Sequence, residues 1–527
     1  MTSPPLEGVK GRPFNEQKYK DLLEKLEVSE VMLSDVLNDN ENNRIDSEYF
    51  KKDFLSFFHN VPNLKPLSYF VKDGYRVVYE NTQIVESEEG KINNYPYFLQ
   101  ATDLETPFIN TDNLFYVNET EWKRYPKGRI NRGEILVEVK GKIEKVSIVP
   151  DDFPEKTLVS GSLFKLTVNE KISKHVLLCY LICKYGVAFK ERYKTNLLIS
   201  YVSKPDLYRI PVPEFSQSFQ IRIDEIFDLI FKYKKQSQTL YRQAEDLLKK
   251  TIFNGTHSVR MHCSGENAND TTPWHPVMRC PASTEGEACF FKSLHNKIPN
   301  YNIKSFQESF LTTGRLDAEY YQPKYEKIIE LVNNQPHEIL GNLVTIKKSI
   351  EPGSDVYADE GLPFIRVSDY NKFGISTPEK CLSARFCKEN AALLQSLYPT
   401  KETILFSKDG SVGIAYMVSE NMQVLTSGAI LHLTVKDKAK VLPEYLTLVL
   451  NSEVIKLQAE RDAGGSIILH WRVSEIENVV VPVIDYEIQQ QIATLIEKSF
   501  YLRRESEQLL EEAKEMVVKE IETEIVY

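Results

Sequence analysis

The chain says much of the same thing twice, roughly 270 residues apart, and this repeat limits its possible folds more than any other feature. Arg44-Ile45-Asp46-Ser47-Glu48-Tyr49-Phe50 returns as Arg315-Leu316-Asp317-Ala318-Glu319-Tyr320-Tyr321. Tyr97-Phe98-Leu99-Gln100-Ala101-Thr102-Asp103 returns as Pro363-Phe364-Ile365-Arg366-Val367-Ser368-Asp369. Ile210-Pro211-Val212-Pro213 returns as Val479-Val480-Val481-Pro482, each time ahead of a long helical pattern. Solenoid units run about 20–50 residues, so this period describes a duplicated domain with a helix attached. Two heads of one design that differ in detail suit a ligand with two unlike half-sites.

From residue 132 onward the copies keep register at an offset near 269, with Ile135 on Ile404, Gly141 on Gly410 and Pro213 on Pro482. Short β-type runs in the first copy (Tyr75–Tyr79, Ile135–Val139, Val146–Val149, Leu163–Val168) are followed by a helix-like Lys174–Phe189. The second copy repeats the order with Ile404–Phe406, Ile414–Val418 and Ala429–Val435, then a proline-opened helix over Pro443–Leu457. The expected divisions are an N-terminal helical segment (1–30), head 1 (31–219), a central helix (220–253), an inserted linker (254–300), head 2 (301–486) and a distal helix (487–527).

The helices carry the clearest heptads. One seam reads Ile223, Ile226, Ile230, Tyr233, Ser237, Leu240, Ala244, Leu247, and the other Ile492, Leu495, Ser499, Leu502, Ser506, Leu509, Ala513, Met516. Ser237 matches Ser506 and Ala244 matches Ala513, small residues that allow close backbone approach, and eight of the 33 aligned positions are identical. Seams matched in layer and length predict an antiparallel coiled coil between the helices, rather than two helices each packed on its own head. The expected fold class is therefore α+β: two tandem domains of mixed α/β type joined by two long antiparallel helices with pseudo-twofold symmetry.

Composition excludes several classes. Met1–Gly11 is polar and contains proline and glycine, with no apolar signal-peptide core, and no run approaches the roughly 18 apolar residues of a membrane span. The seven cysteines (Cys179, Cys183, Cys263, Cys280, Cys289, Cys381 and Cys387) are odd in number and scattered, unlike a disulfide framework. A soluble cytoplasmic protein with no membrane partner is expected. The net charge of −10 counts mildly against a nucleic-acid partner. Placement matters more than the sum, because distant charges are screened beyond about 8–10 Å. Acids gather near the C-terminus (Glu505, Glu507, Glu511, Glu512, Glu515), whereas Lys123–Lys145 holds eight bases against three acids.

With these residues in view, the chain resembles the DNA-specificity subunit of type I restriction-modification systems. The resemblance rests on the Arg-x-Asp-x-Glu-Tyr-aromatic pattern at 44–50 and 315–321, Phe364–Asp369, Ile404–Gly413, the Gly464-Gly465-Ser466 turn before Ile476, and Pro482 before the helix. It covers almost the whole chain and is stronger in the second half. It implies that each head is a target-recognition domain reading one half of a bipartite, asymmetric DNA sequence. The helices would set the spacer and dock two methyltransferase subunits, with restriction subunits joining that core in a phage-defence complex. It further implies a non-catalytic chain, with S-adenosylmethionine held by the methyltransferase partner. No Asn/Asp-Pro-Pro-aromatic methyltransferase motif or phosphate-binding lysine loop is present in the sequence. Thirty-three helical residues at about 1.5 Å each give a rod of roughly 50 Å, equivalent to about 15 base pairs.

The candidate DNA contacts follow from charge, loop position and the resemblance. The loop Ser407–Gly413 offers backbone amides, Lys408 and Ser411, and its counterpart Val139–Ile143 offers Lys140 and Lys142, with Lys145 beside them. Phosphate contacts position a protein, whereas Arg to guanine reads sequence, so Arg129, Arg132, Arg366 and Arg385 are the candidate readers. Ser466 in the Gly464-Gly465-Ser466 turn, matched in head 1 by Lys190, Arg192 and Lys194, either approaches the DNA backbone or simply forms a loop. The helix-pairing residues are Ile223, Ile230, Leu240, Ala244, Ile492, Leu502, Leu509 and Ala513. Thr102-Asp103 and Ser368-Asp369 read as turn formers. The His and Cys residues of the insert lack Cys-x(2–4)-Cys spacing, so no metal is expected. Glu138-Val139-Lys140 echoes half a nuclease signature without an upstream acid. The rival readings are a recognition chain of a related methylation or phage-defence system, a type IIB/IIG-like enzyme, or a helical scaffold that binds proteins rather than DNA.

Overall fold

The structure, a computed structural model, describes residues 15–23, 30–38, 44–77, 82–85, 87–111, 114–195, 198–254, 301–465 and 468–524. The insert beyond Asn254, with Cys263, Cys280, Cys289 and its histidines, lies outside these residues, as do Ser466 and most of the segment 1–30. The chain forms two compact units: Met1–Lys232 with Glu505–Tyr527, and Tyr233–Arg504.

In unit 1 an antiparallel four-stranded sheet runs in the order Val71–Arg76, Leu163–Val168, Ile135–Glu138, Val146–Ile148. The run Ile-Leu-Val-Glu is buried along its whole length, as expected for an inner strand covered on both faces. A second four-stranded sheet runs Thr157–Val159, Tyr97–Leu99, Phe115–Val117, Ile84–Val85, and its first pair is parallel. A short pair, Lys65–Pro66 with Pro211–Val212, closes the head.

Unit 2 repeats this topology. Its first sheet runs Val344–Lys348, Ile430–Val435, Ile404–Ser407, Ala415–Met417. Its second runs Leu425–Thr426, Leu362–Ile365, Lys380–Leu382, Tyr357–Ala358, again with a parallel first pair. His337–Ile339 pairs with Val480–Pro482 to close the head. The α+β duplication expected from the sequence is thus present strand by strand.

The single helices expected over Lys174–Phe189 and Pro443–Leu457 are each two. Lys174–Ile182 and Lys184–Tyr193 meet at an extended Cys183, and Gly186 sits so close to the preceding turn that a Cβ would lie 2.1 Å from the Tyr180 carbonyl. Pro443–Leu450 and Glu453–Asp462 meet at Asn451, whose side-chain amide accepts from the Ala415 N–H (3.0 Å) and donates to its carbonyl (2.8 Å).

The same polar clamps hold each head to a long helix. Gln220 Oε1 accepts from the Ser173 N–H (2.6 Å) and its Nε2 donates to the Phe215 carbonyl (2.9 Å). Gln489 does the same with Leu442 (3.0 Å) and Ile484 (2.9 Å). Tyr180 and Tyr445 donate their hydroxyls to the carbonyls of Pro211 and Pro482. The repeated Arg-x-Asp signature is also structural: Arg44 forks onto Asp46 and donates to the Arg192 and Lys194 carbonyls, while Arg315 forks onto Asp317 and donates to the Asp462 carbonyl. Each arginine thereby satisfies carbonyls left open at a helix C-terminus.

The long helices are Gln217–Asn254 and Tyr486–Glu524. Unit 1 packs the first part of one with the last part of the other, and unit 2 the converse, so the pair is antiparallel. In unit 2, Ser499 Oγ donates to the Ser237 carbonyl (2.8 Å) with the two hydroxyls 3.1 Å apart. In unit 1, Ser506 Oγ donates to the Ile230 carbonyl (3.1 Å). These contacts are related by the 269-residue repeat, Ser506 matching Ser237 and Ser499 matching Ile230.

Of the pairing residues, Ile223, Ile230, Ala244, Ile492 and Ala513 are fully buried, at 0% exposure. The alternate layer departs from the expected heptad by one residue. Phe227, Lys234, Tyr241 and Leu248, with Ile496, Arg503, Leu510 and Val517, are the buried positions, while Leu240, Leu502 and Leu509 are only half-buried beside them. In denaturant unfolding of the full chain, Leu510→Ala is expected to cost about 2–4 kcal/mol and Leu509→Ala less than half of that. Equal losses would return Leu509 to the seam.

Candidate nucleic-acid interface

In unit 1 the loop after Ile135–Glu138 is closed from below by a carboxylate. Glu138 accepts from the Glu144 (3.1 Å) and Lys145 (3.2 Å) N–H groups. Gly141 (φ 107°) and Ile143 (φ 63°) take the left-handed conformation that turns the chain. The loop is stitched to the segment after the helix Lys184–Tyr193: Gly141 N–H donates to the Ser200 carbonyl (3.1 Å) and Val202 N–H to the Val139 carbonyl (2.9 Å). Lys140 and Lys142 are exposed on this loop. Lys145 is turned inward and donates to the Ala101 carbonyl (3.1 Å).

Unit 2 builds the same surface with different chemistry. At the position of Glu138 stands Ser407, fully buried, whose hydroxyl donates to the Ser411 carbonyl (2.5 Å) and accepts from the Ile414 N–H (2.9 Å). Gly410 and Gly413 supply the left-handed residues at φ 75° and 81°. Gly410 N–H donates to the Leu469 carbonyl (2.9 Å) and Trp471 N–H to the Lys408 carbonyl (2.8 Å). Asp409 joins the two loops by bonding both the Lys408 ammonium and His470 Nδ1 (2.9 Å). Ser411 is exposed at the tip. Glu138 is therefore a loop-closing residue, which accounts for the partial nuclease signature without nuclease chemistry. Gly465 makes a close approach, but to the chain's own Ile468 carbonyl, where a Cβ would lie at 2.1 Å.

Two expected contacts are corrected by burial. Lys190 and Arg192 are 1% and 2% exposed, so neither reaches a ligand surface. Lys190 Nζ donates to the Glu144 carbonyl (3.0 Å) beneath the loop, and Arg192 Nε donates to the Tyr49 carbonyl (2.8 Å) with its guanidinium against the Tyr49 and Phe58 rings. Lys194, at the end of that helix, pairs with Glu191. The candidate readers do not converge on the loops. Arg129 lies 4.3 Å over the Trp122 ring and donates to its carbonyl (3.0 Å). Arg132, near Glu155 (3.6 Å), precedes the strand whose far end carries Lys140. Arg366 is held by Asp369 (3.2 Å) and Glu379 (3.3 Å), and Arg385, 88% exposed, by Glu389 (2.9 Å). Asp103 and Asp369 accept from the Gln100 (2.7 Å) and Arg366 (2.8 Å) N–H groups, capping tight turns.

Sequence reasoning missed the apolar tips of the second loop in each surface. Leu198 and Ile199 are 104% and 57% exposed, and Ile468 and Leu469 are 55% and 41% exposed. The available signal was a short aliphatic run inside a polar or glycine-containing loop, repeated in both copies.

Residues 338–515 match the family described as "Type I restriction modification DNA specificity domain". The structure is similar to that of the S subunit of a type-I restriction-modification system from M. genitalium, at 13% identity and TM-score 0.35, covering 88% of this chain and 96% of that one. It is also similar to the HsdS subunit from Thermoanaerobacter tengcongensis, at 13% identity and TM-score 0.25, covering 87% and 96%. No curated protein matches the chain.

Burial holds the Lys190 ammonium down to about 8, against neighbouring Glu138 and Glu144, which favour the charge. An unfolded lysine titrates near about 10.4, so between these values the unfolded chain binds more protons and the Lys190 contribution to stability rises with pH. The stability difference between the parent and Lys190→Met should therefore move in the parent's favour from about pH 8 to pH 10, by up to about 3 kcal/mol. Denaturant titrations at several pH values measure this, and a pH-independent difference would mean that the ammonium is solvated.

Proposed function

We propose that this chain, whose residues 338–515 match the type I restriction modification DNA specificity domain, is the non-catalytic specificity subunit of a DNA methyltransferase and endonuclease complex. Each head reads one half of a bipartite, asymmetric target in double-stranded DNA. The long helices set the spacer and dock two methyltransferase subunits, which hold the methyl donor S-adenosylmethionine, with restriction subunits joining that assembly. The site of action is the cytoplasm, where the DNA lies. No described helix is long and apolar enough to cross a membrane.

The observation that carries this reading is the contrast between the two loop surfaces. They occupy the same place in one repeated topology, with matching main-chain hydrogen bonds, yet one presents Lys140 and Lys142 and the other Lys408–Asp409, Ser411 and His470. A scaffold kept constant under changed surface chemistry is what reading two unlike half-sites requires.

Methylome sequencing of cells with and without the gene tests the reading. A bipartite methylated motif is expected to disappear with the gene, and an unchanged methylome would overturn the assignment. Deleting one heptad from each long helix removes about 10 Å, close to 3 base pairs. The methylated motif of that variant should keep both half-sites and shorten its spacer by about that number, and a parental spacer would contradict the role of the helices as a ruler.

A further inference from the structure

We propose that Leu198–Ile199 in unit 1 and Ile468–Leu469 in unit 2 are wedges that insert against the base stack of the bound duplex, one wedge per half-site. The inference rests on the reading of the chain as a DNA-specificity subunit.

Exposed single aliphatics are ordinary. Here two adjacent ones stand in the equivalent loop of each copy, with Ile199 matched by Ile468; the pairs are offset by one residue, because the shared hydrogen bond matches Leu469 to Ser200. In both units the tip is fixed by the same hydrogen bond, from Gly141 to the Ser200 carbonyl and from Gly410 to the Leu469 carbonyl. In both, a planar ring follows: Tyr201, 36% exposed, after Ser200, and His470, with a side chain 64% exposed, directly after Leu469. Cations lie on the neighbouring main chain. Lys140 forms a main-chain bridge with Tyr201 in unit 1, while in unit 2 Lys408, ion-paired with Asp409, and Arg472, 3.9 Å from Glu475 with a side chain 81% exposed, stand next to the loop in sequence or hydrogen bonding.

An apolar tip with a stacking ring and a rim of cations has the chemistry of proteins that push aliphatic side chains between base steps while lysine and arginine hold the flanking phosphates. The faces of all bases are apolar, so a wedge tolerates sequence. That explains why both loops keep an exposed aliphatic pair, sharing the Ile199/Ile468 position, while the neighbouring polar loops differ. A protein partner would not call for the cationic rim.

The test uses the full chain with its methyltransferase partner and duplexes bearing the methylome-derived motif with 2-aminopurine at successive steps. The parent should raise fluorescence at a step in each half-site. Leu198→Ser with Ile199→Ser should abolish the rise in one half-site only, and Ile468→Ser with Leu469→Ser in the other. Each pair should weaken binding about tenfold or more without changing the slope of log K against log salt, because no ion pair is lost. Lys140→Ala with Lys142→Ala should instead reduce that slope by up to about 1.8 and leave the fluorescence. Unchanged melting temperatures guard against misfolding, which these exposed positions should not cause. Fluorescence and affinity unaffected by the serine pairs would overturn the inference. So would loss of methyltransferase co-purification with the fluorescence retained, which would make the tips a protein-docking surface. Absence of motif-specific binding by the parent itself would remove the underlying functional reading as well, an outcome distinct from either.

Discussion

The close approach of two antiparallel helices is the constraint on which the rest of the structure depends. Ser499 and Ser506 reach main-chain carbonyls of the opposite helix at 2.8 and 3.1 Å, which requires small residues in those layers. Each head then completes its core on one stretch of the pair. In unit 1 the cluster that includes Ile135, Phe164 and Leu177 also includes Ile223, Phe227, Leu510 and Val517, and in unit 2 the cluster of Phe406, Tyr445 and Trp471 takes in Tyr241, Leu248, Ile492 and Ile496. Neither head has a closed core without residues from both helices. Lys234 and Arg503, equivalent in the repeat and each 9% exposed, interrupt the apolar seam, and Arg503 lies 4.1 Å over the Phe373 ring. Displacing such cations by a heptad would strand them against apolar partners, so they favour one register at some cost in stability.

This frame explains what the duplication retains and what it releases. Groups that clamp the main chain, at the long helices or within each head, are repeated as the same residue type: Gln220 and Gln489, Tyr180 and Tyr445, Arg44 and Arg315. Groups that close the loops are repeated only in role, a Glu138 carboxylate against a Ser407 hydroxyl. The buried polar pairs within the sheets have diverged further, with Lys165–Glu134 (3.1 Å) in one head and His432–Thr426 (2.8 Å) in the other. Polar satisfaction is obligatory but can be met by different donor–acceptor sets, so the surfaces could change while the topology stayed.

The repeat, the strands and the pairing of the long helices were legible in the sequence because burial imposes periodicity on them. The alternate seam layer was misread by one residue for a physical reason. Tyr233 looks apolar and Lys234 does not, yet a lysine can bury its stem along the seam, and the 3-4 spacing fits either choice. The helix breaks at Cys183 and Asn451 carry no proline, and their causes, a close helix crossing and an amide clamp on a strand, are tertiary. The basic cluster from Lys123 to Lys145 is close in sequence but split in space, because the strand Ile135–Glu138 separates Arg129 and Arg132 from Lys140 and Lys142. Lys190 and Arg192 were drawn to the surface by their charge, whereas carbonyl partners and aromatic faces hold them inside.

The central claim is that the helices fix the spacing while each head reads its half-site independently. It is tested most directly by giving both positions the same head. Replacing residues 337–482 by residues 65–213 joins the chain at the short strand pairs that close each head. Methylome sequencing of cells carrying this chain should return a palindromic bipartite motif, with the first half-site repeated in inverted orientation across the parental spacer. A motif that still contains the parental second half-site, or a changed spacer with both half-sites intact, would contradict the account.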